Sequence, residues 1–168
     1  MEENITESNL YRPDIHLCIH TNAASGSARG CVVFVSKLDE AHMKYARPVY
    51  NALHALVGGT DYGVRSAAFA EITQTDATCV YCECEFHDNP SRAEWIVNHM
   101  GELAEAITKG ICEGAGIDYV TKTLDEFAAA RSAAMDRDIM RGNGKADYWT
   151  TAPTRQELAV ILRRAGVI

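Results

Sequence analysis

The sequence predicts an α/β fold: a sheet with helices on both faces, followed by a small helical module at the carboxyl end. Three observations predict it. Short strand-like apolar runs alternate with segments of helical periodicity, the order that builds a helix-covered sheet. A length of 168 residues at 47% hydrophobic suffices for one ordinary core and an appendage. Residues 1–120 hold 8 basic and 17 acidic groups, a net charge of −9, whereas residues 121–168 hold 8 and 6, a net charge of +2. That shift predicts a main domain over 1–120 and a separate module over 121–168.

Residues 14–20 alternate strictly, with Ile15, Leu17 and Ile19 on one face and His16, Cys18 and His20 on the other, as in a strand. Residues 24–28 read as a flexible loop. Residues 29–35 are a nearly continuous apolar run, the pattern of a strand covered on both faces. Over 39–57, Met43, Ala46, Tyr50, Leu53 and Val57 recur at spacings of three and four, which predicts an amphipathic helix. Pro48 is expected to kink or bound that helix, and Gly58-Gly59 to end it. Residues 78–84 supply another buried strand. Asn89 then reads as an N-cap with Pro90 in the first helical position, and Ile96, Met100, Leu103, Ile107 and Ile111 continue one helix from there.

Composition excludes several function classes. The net charge of −7 argues against a nucleic-acid partner, since phosphate binding needs clustered Lys and Arg. The longest apolar runs fall well below the ~18 residues of a membrane helix. The first seven residues lack the basic and apolar regions of a signal peptide, so synthesis in the cytoplasm is expected. The six cysteines (18, 31, 79, 82, 84 and 112) read as reduced, buried thiols. Cys79, Cys82 and Cys84 suggest either a structural zinc or small core residues. On a strand, Cys79 faces away from the other two, which weighs against one ion gathering all three.

Ligands of an open α/β sheet collect beyond the carboxyl ends of its strands. His20 closes one candidate strand and is followed by Asn22. Glu83 lies near the end of another and is followed by Glu85, His87 and Asn89. A histidine to hold a metal and a carboxylate to move a proton are the minimum parts of a zinc hydrolase. A strand-end histidine is more often a satisfied structural residue than a ligand, whereas a buried strand carboxylate needs a partner, solvent or a metal. Glu83 and Glu85, one residue apart on one face, are expected to repel, which raises one pKa and suits it to general-base work.

Ile19-His20-Thr21-Asn22 and Glu83-Cys84-Glu85-Phe86-His87-Asp88-Asn89 resemble the Ile-His-x-Asn and Glu-x-x-Phe-x-x-Asn signatures of the zinc-dependent N-acetylmuramoyl-L-alanine amidases. Arg29-Gly30, Gly63-Val64-Arg65 and Ala70-Glu71-Ile72 lie between them in the same order, and the resemblance covers roughly residues 7–120. It implies a zinc ion held by two His and one Glu, with a further Glu assisting catalysis. His20 corresponds to the second His ligand and Glu83 to the catalytic Glu. Asn22, Arg65, Glu85, His87 and Asn89 are the positions expected to support the site or face substrate. The implied substrate is peptidoglycan. Zinc polarises the lactyl amide of N-acetylmuramic acid and lowers the pKa of its bound water, and Glu83 passes the proton to the L-alanine amine.

The resemblance also implies a first strand, a leading His and a helical Glu ligand upstream of residue 7. This chain is therefore expected to carry the second half of the site without the first, as a fragment, an alternative start or a wrong gene boundary would leave it; His16 or His87 as makeshift extra ligands is the less favoured alternative. Two function classes follow: a phage-type endolysin acting at the bacterial cell wall, or a non-catalytic remnant acting as a wall-binding or assembly partner. In residues 121–168, an Ala-rich helix, a turn at Gly142-Asn143-Gly144-Lys145 and a capping box at Thr154-Arg155-Gln156-Glu157 resemble a single S-layer-homology unit. Its positive charge suits anionic wall polymers. A helical hairpin packed on the main domain is the alternative.

Overall fold

The computed structural model describes residues 2–120, so the expectations for residues 121–168 lie outside the described residues. The elements in chain order are α1 (Glu2–Tyr11), β1 (Ile15–Asn22), β2 (Val32–Val35), α2 (Glu40–Val57), β3 (Val64–Ser66), α3 (Ala70–Thr73), β4 (Thr78–Phe86), α4 (Pro90–Asn98) and α5 (Met100–Ala115). The strands form one four-stranded sheet in the order β1-β4-β2-β3. β1 runs parallel to β4, β2 parallel to β3, and β2 antiparallel to β4.

Alternation along β4 divides the core between the two faces of the sheet. Val80, Cys82 and Cys84 point into the main cluster with Val33 and Val35 of β2, Ala46, Val49 and Leu53 of α2, and Leu103 and Ile107 of α5. Cys79 points the other way and packs with Cys18 and Ile72 against Phe34, Ala67 and Tyr81. Each fully buried side chain such as Leu53 or Val80 contributes roughly 1.5–3 kcal/mol of transfer free energy. Helices thus cover both faces of the sheet, as expected for an α/β fold.

α2 and α5 meet backbone to backbone. A Cβ at Gly110 would lie 2.4 Å from Val49 Cα and 2.8 Å from the Pro48 carbonyl carbon, so only glycine permits the approach. This contact bears on Pro48, which was expected to kink or bound the helix; it does not bound it but lies inside α2. A proline within a helix costs about 3 kcal/mol through a lost hydrogen bond and a ring clash. α5 packs closely on the same turn.

Other elements depart from the sequence reading. The helix expected from Pro90 onward divides at His99, whose φ of −122° and ψ of 22° leave the helical region. His99 N–H bonds back only three residues, to Ile96 O (3.2 Å), while its ring stacks on Trp95 and its Nδ1 lies 2.8 Å from Trp95 O. The apolar stripe continues across the break, which is why periodicity alone gave one helix. α1 had no sequence signal because Ile5 is its one buried residue. On β1, of the side chains expected to form an apolar face, Ile15 packs partly buried on the main cluster, but Leu17 is 39% and Ile19 58% exposed, whereas Cys18 on the other face is 5% exposed.

Candidate active site

β1 is the edge strand beside β4, and their parallel register sets His20 directly against Glu83. Paired residues of parallel strands project to the same side, so both groups face one another at the carboxyl ends of the strands. The His20 ring stacks on Tyr81, two residues before Glu83, with centroids 4.6 Å apart and planes at 7°. Its Nε2 lies 3.8 Å from Oε2 of Glu71, a buried residue of the short helix α3.

Burial pushes the Glu83 carboxyl above the ordinary glutamate range, against the pull of His20 and His87. Its Oε2 is buried without a hydrogen-bond partner among the described residues. A desolvated, unpartnered carboxylate beside an imidazole is equipped to take a proton from a bound water. The raised pKa was expected to come from repulsion by Glu85, but it comes from desolvation.

Glu85 has a separate structural role. Between the partners of His20 and Asn22, β4 carries one residue more than β1, a bulge of the kind that re-aims side chains near sites. Within it, Glu85 is fully buried. Its Oε1 accepts the N–H groups of Gly30 (2.8 Å) and Phe86 (3.0 Å). Its Oε2 accepts Arg92 Nε at 2.7 Å, with Arg92 Nη2 also 2.7 Å away. One carboxylate thereby ties the loop before β2, the end of β4 and the start of α4 into a single unit. Gly30 sits at φ 121°, and a Cβ there would come within 2.5 Å of Thr60 O.

The loop expected to be flexible is anchored from the same side. Asp88 Oδ2 accepts the N–H groups of Ala24 and Gly26, both at 2.8 Å, and these bonds lower its pKa. Asn89 occupies the N-cap position of α4, but its side chain does not cap the helix. Nδ2 donates to Ala28 O at 3.1 Å instead. Asn22 accepts the His87 N–H through its backbone oxygen (2.9 Å). His87 Nδ1 lies 3.0 Å from Thr21 Oγ1. Arg65 is held elsewhere: its Nε donates to Tyr62 O at 2.8 Å, on β3, the far edge of the sheet from β1. A cavity of about 560 Å³ opens beside His20, lined by Ile19, Thr21, Cys84 and His87 and by Met100 and Leu103 of α5.

The structure therefore brings His20 and Glu83 together with His87 nearby, engages Asn22 through His87, ties Asn89 to the loop at Ala28, assigns Glu85 to support and sets Arg65 apart. Sequence reasoning missed Glu71, Arg92 and Asp88 as functional neighbours. Asp88 had a signal as a turn-forming residue directly before a helix start, and Glu71 lay in the Ala70-Glu71-Ile72 segment of the resemblance without a role of its own.

A catalytic zinc takes about three protein ligands and leaves a position for water. The described donors at His20 supply its own imidazole and the Glu71 carboxylate, with Glu83 opposite. His16, expected as a makeshift ligand, instead groups with Cys18 and Cys79, and His87 engages Thr21. The described residues thus fall one ligand short of a catalytic zinc site.

Fold and site together define a hydrolase-like α/β domain with a His–Glu pair at its strand ends, and the comparisons supply the family. Residues 1–113 match the family model for N-acetylmuramoyl-L-alanine amidase (Amidase_3), so the chain belongs to that family. No curated protein matches it. Among solved structures it is similar to the N-acetylmuramoyl-L-alanine amidase from Clostridium difficile 630, at 22% identity and TM-score 0.61, covering 66% of this chain and 62% of that one. It is similar to Ami1 from Mycobacterium smegmatis, at 23% identity and TM-score 0.61, covering 68% and 60%. It is also similar to the CwlD amidase from Clostridioides difficile, solved in complex with the GerS lipoprotein, at 17% identity and TM-score 0.63, covering 70% and 62%. The chain therefore spans about three-fifths of the length of these relatives. Among the described residues no helix is long and apolar enough to cross a membrane.

Proposed function

We propose that this chain acts at the bacterial cell wall as a peptidoglycan amidase of the endolysin or autolysin kind, cleaving the bond between N-acetylmuramic acid and the L-alanine of the stem peptide. The observation that carries this reading is the registered pairing of His20 with Glu83, whose Oε2 is buried and unpartnered. Glu83, with its proton affinity raised by burial, takes the proton of the attacking water and returns it to the departing L-alanine amine. Tyr81 fixes the plane of His20 by stacking, and Glu71 sets a carboxylate oxygen 3.8 Å from its Nε2. Glu85, Arg92 and Asp88 hold the bulged strand end and the 23–28 loop around the pair. Zinc is the cofactor this reading assigns, with His20 as one ligand. Because the described donors fall one short of three, no step is derived through it. Residues 121–168, with their positive charge, are the segment assigned to anionic wall polymers.

That ligand shortfall favours a second reading, a wall-binding protein that retains the fold without turnover. Mass spectrometry of purified peptidoglycan incubated with the full chain and zinc separates the two. The amidase reading predicts free stem peptides with L-alanine amino termini and intact glycan strands. New reducing ends in place of those termini would mean a different bond is cut. No release, with the chain still pelleting with the wall polymer, would establish the binding role.

A further inference from the structure

Earlier on β1, on the face that carries His20, His16 and Cys18 turn toward Cys79 of β4, the registered partner of His16. One ligand atom from each of these three residues lies within 4.8 Å of the other two. Cys18 Sγ and Cys79 Sγ are 3.9 Å apart, and both residues are buried. A tetrahedral ion with metal–sulfur bonds of about 2.3 Å has sulfur–sulfur edges of about 3.8 Å. The thiols therefore stand at the spacing such an ion requires. A disulfide, at about 2.05 Å, would draw them together by nearly half that distance. His16 is half-buried, so the pair is reachable from solvent on its side, and its ring is steadied by Ser8 Oγ of α1, 2.9 Å from Nδ1.

We propose that His16, Cys18 and Cys79 form a binding site for a thiophilic divalent ion of the zinc class, distinct from the site at His20, which clamps the edge strand β1 to β4. Binding displaces one proton from each thiol to solvent and forms two metal–thiolate bonds and one metal–imidazole bond. The fourth position is left to water or to Glu71, whose carboxylate bears on the Cys18 thiol and also lies 3.8 Å from His20. Among the described residues, edge strand β1 bonds to the sheet only through β4, so a metal clamp at His16–Cys79 fixes the register that sets His20 against Glu83 four pairs further on.

Cobalt(II) titration of the full reduced chain, followed by optical absorption, tests this. The expected result is one ion per chain with a near-ultraviolet thiolate-to-cobalt charge-transfer band, displaced by zinc. Cys18→Ser and Cys79→Ser should each abolish the band, and His16→Ala should weaken binding at least about tenfold, the scale typical of lost site residues. His20→Ala should leave the band in place, which separates this site from the amidase centre. As a check that does not depend on variants folding, zinc should protect Cys18 and Cys79 of the wild-type chain from alkylation, read by peptide mapping. No band at stoichiometric cobalt, a band that survives Cys18→Ser or disappears in His20→Ala, or unprotected Cys18 and Cys79 would each overturn the proposal.

Discussion

Glu85 and Arg92 form a buried ion pair across the turn from β4 to α4, with two guanidinium nitrogens 2.7 Å from one carboxylate oxygen. The other oxygen carries two backbone N–H groups, so the carboxylate is satisfied on both sides. Removing one partner of a buried pair strands the other's charge, at a cost of about 3–5 kcal/mol. Arg92→Ala should therefore lose stability on that scale in urea denaturation. The double variant Glu85→Gln, Arg92→Met should lose much less than the sum of its parts. Additive losses would mean the pair is not coupled as described.

The α2–α5 contact allows a paired prediction with opposite signs. Gly110→Ala drives a methyl into the backbone of Val49 and should destabilise by about 1–3 kcal/mol or more. Gly101→Ala meets nothing within 4 Å and should stabilise α5 by about 0.5–1 kcal/mol through helix propensity. Thermal melts of the two variants check both signs.

Glu83 gives a pH dependence. Burial raises its folded-state pKa above the ordinary value of 4.5, so the folded chain binds its proton more tightly than the unfolded chain does. Ionising Glu83 therefore costs stability, and that cost develops as pH rises from the unfolded pKa through the folded one. Glu83→Gln should melt above wild type at neutral pH, with the gap closing as pH falls toward 4. A gap that widens on acidification would show that the native state favours the charged form.

Asp88 shapes the loop beside the site rather than the core. Asp88→Ala removes the acceptor of the Ala24 and Gly26 amides. Hydrogen exchange at those two amides should quicken by about tenfold, the scale of a lost charge-assisted bond, with β4 amides unchanged. Equal protection in the variant would mean that the loop is ordered by other contacts.

The sequence showed the parts with local periodicity or punctuation. Alternation gave β1, and the apolar periodicity from residue 39 with the Gly58 stop gave α2. His20 and Glu83 were legible because each closes a strand pattern, and parallel register then brings them together. The supporting place of Glu85 was expected but its partners were hidden, because a bulge changes which way a side chain points and no period-of-two pattern records an extra residue. Glu71 and Arg92 were hidden for a related reason, since their importance lies in partners 51 and 7 residues away. The solvated Leu17 and Ile19 show the limit of alternation: it identifies two faces of an edge strand but not which one is covered.

The central claim is that Glu83, opposite His20, moves the proton in peptidoglycan amide cleavage. The most direct measurement is the initial rate at which L-alanine amino termini appear from purified peptidoglycan with wild type and Glu83→Gln, at equal zinc and equal wall binding. The predicted result is a fall of about 10²–10⁴-fold in the variant, the range for a lost general base, with pelleting unchanged. Equal rates for the two proteins would contradict the account.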